Sequence, residues 1–331
     1  MERRLDALAE VCQTPGAGAI VTLAPNKEQT MKDKVNAAVV QAGSKIFDLE
    51  ATLEKFEGLA LEAARQGAEV VVFPEAFLGG YPKGMDFGAR VGQRSESGRE
   101  WFARYWRESV DVPGPVTERV GQIARSCRLN LATGAVERDH GTLYCTLLYF
   151  GADGSLLGKH RKVMPTAMER LIWGFGDGST LEAVDTAAGR IGGAICWENY
   201  MPQLRLSQYA QHVELYCAPT VDDRESWQPS MRHVAIEGRC FVLSACQYMT
   251  LDDCPDDYPV GRDEHEDDVL IRGGSVIVDP FGNVLAGPVY DREAIVYAEL
   301  DASAIARGKF DLDIAGHYSR GDIFNLKINK L

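Results

Sequence analysis

The stretch GGAICWENYMP, Gly192–Pro202, runs from a short apolar segment through a cysteine to a proline. A brief run of small and branched apolar residues bounded by glycine reads as a buried strand. Pro202 suits the first turn of a helix, where its missing N–H would have no partner anyway. The stretch therefore reads as a strand, a short polar crossing and the start of a helix. Cys196, Trp197, Glu198 and Asn199 occupy the crossing. That crossing lies at the carboxyl end of a strand, where open α/β sheets bind their ligands.

The same alternation extends outward in both directions. VNAAVVQAG (35–43) reads as a strand, and Asp48 offers an N-cap to a helix reaching about Gln66. Leu49, Leu53, Phe56, Ala60 and Ala63 recur on that helix at helical spacing, and Gly67 closes it. AEVVVF (68–73) reads as the next buried strand. Thr117 caps a helix to about Cys127, and LNLATGAVE (129–137) returns as a strand. TLYCTLLYF and SLLGKHRKV form a hairpin around Asp153-Gly154. After Pro202, VELYCAPT (213–220) and CFVLSACQY (240–248) are strands on either side of a helix at about 230–238. GSVIVD and AIVYAEL follow, separated by the turn PFGN (280–283). Alternating βα units with antiparallel hairpins define a layered α/β protein with mixed sheets. No linker interrupts the middle of the chain, so residues 31–331 are expected to form one domain. Residues 1–30 read as a non-catalytic extension, since Met31 begins a run leading directly into the first strand.

Composition narrows the class. The chain has 331 residues, 45% of them hydrophobic and 25% charged, which is ordinary for a globular protein. A net charge of −13 disfavours nonspecific attraction to nucleic acid or anionic membrane. The apolar runs are too short to span a bilayer. The eight cysteines are scattered and several lie in strand-like runs, so they read as reduced thiols of a cytoplasmic protein. No CxxC pair or HExxH segment occurs, and no cofactor or metal is expected. The acid-rich loop 252–268 reads as a solvated surface segment.

Three apolar runs end in residues whose chemistries combine. VVVFPEAF ends at Glu75, LLGKHRKVMP at Lys162 and GGAICWEN at Cys196. Alone, each has an ordinary reading as a surface acid, a solvated lysine or a small buried hydrophobe. Together they provide a thiol nucleophile, an ammonium that favours its thiolate, and a carboxylate able to take its proton. His160 lies close to Lys162 in sequence but has no evident carboxylate partner. The GxSxG elbow of serine hydrolases is absent.

FPEAFLGGYP (73–82), GKHRKVMPT (158–166) and CWENYMP (196–202) resemble segments of the nitrilase branch of the carbon–nitrogen hydrolase superfamily. So do ERDHGTLYCTLLYF (137–150), ERLIWGFGDGST (169–180), YCAPTVDDRESW (216–227), GRCFVLSACQ (238–247) and GHYSRGDIF (316–324). The overall wording is similar to plant-like and bacterial cyanoalanine-type nitrilases. This resemblance implies a four-layer αββα sandwich in which Glu75, Lys162 and Cys196 form a catalytic triad. It further implies that Glu137 lies beside Lys162 and orients it, and that the Trp197 N–H helps to hold the oxyanion. Tyr81, Trp173 and Trp197 are expected to line the substrate pocket, since aromatic walls suit the apolar body of a nitrile. The expected reaction converts an organic nitrile to its carboxylic acid and ammonia through a thioimidate and a thioester, with some amide release open. An amidase or carbamoylase with the same triad remains the alternative, disfavoured by Trp197-Glu198. The resemblance also implies dimers and spiral filaments, with HYSRGDIFNLKINKL (317–331) reaching across a subunit interface.

Overall fold

The computed structural model describes residues 31–260 and 268–330. The expectation of a non-catalytic extension at 1–30, and residues 261–267 of the acidic loop, lie outside the described residues. The first half contains β1 (Lys34–Gln41), α1 (Leu49–Arg65), β2 (Val70–Val72), α2 (Glu96–Arg107), β3 (Val110–Asp111), α3 (Pro115–Cys127), β4 (Asn130–Asp139), β5 (Thr142–Phe150) and β6 (Leu156–Arg161). The second contains β7 (Val184–Thr186), β8 (Gly189–Gly193), α4 (Pro202–Tyr209), β9 (Leu215–Cys217), α5 (Trp227–Gly238), β10 (Phe241–Ser244) and β11 (Tyr248–Thr250). It ends with β12 (Val269–Val278), β13 (Val284–Tyr290), β14 (Ala294–Asp301) and α6 (Ser303–Lys309).

These strands make two mixed sheets, ordered β14-β1-β2-β4-β5-β6 and β11-β12-β10-β9-β8-β7, with β3 beside β4 and β13 beside β12. Each has a parallel centre, β1-β2-β4 in one and β10-β9-β8 in the other, flanked by antiparallel neighbours.

The period-2 alternation of β1 shows how the layers stack. Val35, Ala37 and Val39 enter the core between the sheets, where they join Leu147, Ile191, Leu215, Leu243 and Ile277. Ala38 and Val40 face the other way, into a core shared with Leu53 and Phe56 of α1 and Ile123 of α3. On the far side, Leu204 of α4 and Trp227, Met231 and Val234 of α5 cover Tyr216, Val242 and Val276. The order helices, sheet, sheet, helices is the αββα sandwich that the sequence led us to expect. Buried Gln41 joins the two sheets, accepting from the Gly274 and Ser275 N–H groups and donating to the Arg292 carbonyl.

Most predicted elements stand where expected. Asp48 caps α1 by accepting from the Ala51 N–H at 2.9 Å. α3 begins at Pro115 rather than Thr117, whose hydroxyl instead accepts from the Gly114 N–H at 2.9 Å. CFVLSACQY divides into β10 and β11, and β13 lies between the turn at 280–283 and AIVYAEL. The segment 81–110 contains α2, capped by Ser95, whose Tyr105 hydroxyl donates to the Gly80 carbonyl. The end of the C-terminal tail packs on its own chain, with Lys330 paired to Glu182 and Asn329 against Gly178. No helix among the described residues is long and apolar enough to cross a membrane.

Candidate active site

Glu75 follows β2, Lys162 follows β6 and Cys196 follows β8, so the three residues come from strand ends of both sheets. Two glycines let the supporting backbone pass closely. A Cβ on Gly134 of β4 would sit 2.3 Å from the Pro74 carbonyl oxygen, and one on Gly193 of β8 would sit 1.9 Å from that of Cys217. Gln247 secures the Glu75 turn by donating to the Glu75 carbonyl at 2.8 Å.

Cys196 opens a short helical turn, Cys196–Tyr200, with a left-handed φ of 50°. A non-glycine residue pays roughly 1–2 kcal/mol for that conformation. The surroundings hold it there: the Cys196 N–H donates to the Pro219 carbonyl at 2.9 Å, and the Asn199 amide donates to the Ala194 and Cys196 carbonyls. The thiol is turned into the gap between the sheets. Its sulfur accepts a hydrogen bond from the Thr220 hydroxyl at 3.1 Å, and that hydroxyl is fixed by the Asp222 N–H at 2.9 Å. The first bond within the helical turn runs from the Glu198 N–H to the Ile195 carbonyl, so the Trp197 N–H precedes it.

Lys162 is fully buried, and its ammonium donates to Glu75 Oε1 at 2.6 Å and to Glu169 Oε2 at 2.8 Å. Glu169 in turn accepts from the Tyr81 hydroxyl at 2.9 Å. The ammonium also lies 5.8 Å from the centre of the Trp173 ring. Burial alone would lower the lysine pKa, but the acidic groups around it, Glu75 foremost, carry it well above its ordinary value. Burial pushes the Glu75 carboxyl up to about 7 against the opposing pull of Lys162. The Cys196 thiol is near enough to bear on that titration, and Glu75 Oε2 has no hydrogen-bond partner among the described residues. Burial, with the Glu75 charge added, raises the Cys196 thiol too. At neutral pH the resting cluster is therefore a thiol, an ammonium and a carboxyl poised to exchange its proton.

A cavity of about 440 Å³ opens beside the cluster, lined by Tyr81, Met85, Phe87, Glu169, Ile172 and Trp173 among others. Glu169 and Tyr81 connect it to the lysine. Trp173 is buried and meets Tyr81 edge-on, with ring centroids 5.6 Å apart. Among the described residues, no group of three or more His, Cys, Asp or Glu side chains is arranged to hold a metal ion.

Three expectations need correction. Glu137 is not beside Lys162: it pairs with Lys159 and Arg161 and accepts from the Thr146 hydroxyl at 2.9 Å. Glu137 lies on β4 opposite the outward-turned neighbours of the lysine, and strand alternation puts Lys159 and Arg161 on one face and His160 and Lys162 on the other. The carboxylate beside the lysine is Glu169, in the short helical turn Ala167–Leu171, a turn too brief to show a period in the sequence. Trp197 is absent from the cavity wall; the residue is 40% exposed, its indole N–H donates to Asp222 and Arg224 lies over its ring. His160 does have a carboxylate partner, Glu198, at 2.8 Å, with both side chains buried. Thr220 was also missed, and its only sequence signal was its place at the end of the YCAPT strand.

A strained cysteine at a strand end, facing a buried lysine–carboxylate cluster between two sheets, defines a cysteine-hydrolase type of site. The chain matches the carbon–nitrogen hydrolase family over residues 36–310. It is 54% identical over 297 residues to an aliphatic nitrilase of Sinorhizobium fredii, covering 90% of this chain and 96% of the relative. It is likewise 54% identical over 299 residues to a bifunctional nitrilase/nitrile hydratase of Lupinus angustifolius, covering 89% and 86%. The crystal structure of Saccharomyces cerevisiae Nit3, a nitrilase-superfamily member, shares the fold at a TM-score of 0.67 with 20% identity, over 89% of this chain and all of that one. The chain belongs to the carbon–nitrogen hydrolase family, within its nitrilase branch.

Proposed function

We propose that the protein is a nitrilase that converts an organic nitrile and two waters into a carboxylic acid and ammonia. The observation that carries this reading is the meeting of Glu75, Lys162 and Cys196 at one end of the sandwich, in a chain about half identical to proteins named as nitrilases. In this reading Glu75 Oε2 takes the thiol proton while sulfur adds to the nitrile carbon. The proton passes to nitrogen, giving a thioimidate. Glu75 then draws a proton from the first water as its oxygen adds to the same carbon. Lys162 and the Trp197 N–H stabilise the negative charge that develops. Protonated nitrogen leaves as ammonia, and the second water releases the acid from the remaining thioester. Glu169 holds the lysine and presents its other oxygen to Tyr81 at the cavity.

If sulfur leaves the tetrahedral intermediate before nitrogen does, the product is an amide. The bifunctional name of the lupin relative favours this as a side reaction. The protein is further read as acting in the cytoplasm and as self-associating into dimers or longer assemblies.

The test is ammonia and amide release from matched nitriles and amides, with the native protein and with Cys196→Ala. Nitrile-dependent ammonia that disappears in the variant supports the reading. Turnover of amides with none of any nitrile sends the protein to the amidase reading instead.

A further inference from the structure

Glu198 is a fully buried carboxylate that no step above uses. Its Oε1 accepts from the Val163 N–H at 2.6 Å, and its Oε2 accepts from the Ile195 N–H at 2.8 Å and faces His160 Nε2 at 2.8 Å. Val163 directly follows Lys162, and Ile195 directly precedes Cys196. One side chain thus holds the backbone next to two of the three proposed catalytic residues, one just past the edge strand β6 of the first sheet and one just past β8 of the second. An ionised carboxylate only accepts, so His160 Nε2 carries the hydrogen toward it. His160 Nδ1 is buried without a hydrogen-bond partner among the described residues, so Nε2 makes the ring's one hydrogen bond there, to Glu198. Burial opposes ionisation of Glu198, but the imidazole and the two N–H donors hold its carboxyl below the ordinary range.

We infer that Glu198 and His160 form a clasp that fixes the Lys162 strand end against the Cys196 elbow, acting on catalysis through position alone. The inference rests on the nitrilase reading for its substrate, but not for its geometry. The two strand ends belong to separate sheets, and the side chains they carry must meet within about 0.5 Å of a productive arrangement. The packed core sets the spacing of the sheets; the clasp sets the offset of the two loops. Glutamine cannot replace the glutamate here. Its amide would present N–H either to the Val163 N–H or to the pair formed by the Ile195 N–H and His160, opposing donor to donor. Aspartate is one methylene too short to reach both loops.

The experiment compares Glu198→Gln, His160→Leu and His160→Gln with the native protein. It measures kcat and KM on a nitrile, the rate of Cys196 alkylation by iodoacetamide followed by mass spectrometry, and the thermal transition. For folded Glu198→Gln and His160→Leu, kcat is expected to fall about 30- to 100-fold, the range that a misplacement near 1 Å produces. KM is expected to stay within about threefold and alkylation of Cys196 to slow, because substrate binding does not pass through the clasp. His160→Gln keeps a donor toward Glu198 and is expected to recover most of kcat. A folded Glu198→Gln with kcat and alkylation rate both within about threefold of native would overturn the inference. If Glu198→Gln does not fold, the histidine pair decides: equal kcat in His160→Leu and His160→Gln overturns it as well. If the native protein turns over no nitrile, the nitrilase reading fails by itself. Slower alkylation in Glu198→Gln then still supports the clasp, and unchanged alkylation removes it.

Discussion

At the scale of single residues, the proton balance between Glu75 and Cys196 governs the behaviour of the site. A base must be ionised to accept the thiol proton, and burial has moved the Glu75 carboxyl up to about 7. The sign follows: kcat/KM rises with pH, reaches its plateau above about 7 and falls roughly tenfold per unit below it. A pH profile of kcat/KM checks this, and an acid limb near 4.5, the ordinary value for a glutamate, would show that burial does not control the base. The same shift opposes folding as pH rises from 4.5 through 7, because the native carboxyl holds its proton more tightly than the unfolded chain does. Thr220 makes a second prediction. Its hydroxyl donates to the Cys196 sulfur, and a hydrogen bond to a charged group is worth about 1.5–3 kcal/mol. Thr220→Val keeps the shape and removes the donor, so alkylation of Cys196 should slow by roughly 10- to 100-fold with the fold intact. An unchanged alkylation rate would mean the hydroxyl does not support the thiolate. Glu75, Lys162 and Cys196 were legible because each closes an apolar run and their chemistries interlock. Glu169, Glu198 and Thr220 were not, because hydrogen bonds between distant loops leave no local period in a sequence.

At the scale of elements, β4 and β6 show how strand alternation divides structural from chemical work. Lys162 turns inward past the end of β6, while Lys159 and Arg161 turn to the opposite face and meet Glu137 of β4. Glu137 is itself 1% exposed, but its partners are 27% and 19% exposed, so water retains part of the interaction. Breaking a buried pair costs about 3–5 kcal/mol, and screening of the partners brings the expectation for Glu137→Ala to roughly 1–3 kcal/mol. Urea unfolding should show that loss while kcat in the folded variant stays within about tenfold, since Glu137 touches none of the reacting groups. A fall of a thousandfold in kcat at unchanged stability would return Glu137 to the catalytic set. Regular elements with strong periodicity, α1 and β1 above all, were legible in position and type. α2 was not, because Glu96–Arg107 mixes charged residues and aromatics and buries only Gly98 and Tyr105. Tyr105 joins the core between the sheets while Trp101, Phe102 and Trp106 pack against that core only partly buried, so its apolar face is made of aromatics set among charges rather than of aliphatic residues. The division of β10 from β11 follows from the hydrogen bonding at Cys246, whose N–H turns to the Ser275 hydroxyl.

At the scale of the whole molecule, the sandwich completes its sheets before the chain ends. β14 pairs with β1 along its length from Lys34–Asp301 to Gln41–Ala294, and α6 follows it. The tail beyond α6 does different work. Phe310, Tyr318, Ile323 and Phe324 are 89%, 66%, 57% and 74% exposed, a concentration of large apolar side chains that favours association. The far end of the tail nevertheless returns to the loop after Trp173, where Asn329 and Ile328 pack so closely on Gly178 that a Cβ there would lie 2.3 Å from the Asn329 carbonyl. That loop follows directly on the segment that ends at Trp173 in the cavity wall, so the tail packs on the chain just beyond the cavity as well as carrying exposed apolar side chains. A chain ending at Asp311 keeps both sheets and all the helices and should retain a cooperative thermal transition. Its mass by light scattering should fall relative to the full chain if the exposed aromatics of the tail carry self-association. Gly178→Ala separates the two roles: it should loosen the tail from the loop, raising KM, while leaving the apolar side chains in place and the assembly mass unchanged. Equal masses for the full and shortened chains would assign association to another surface and leave the tail only its contact with the loop.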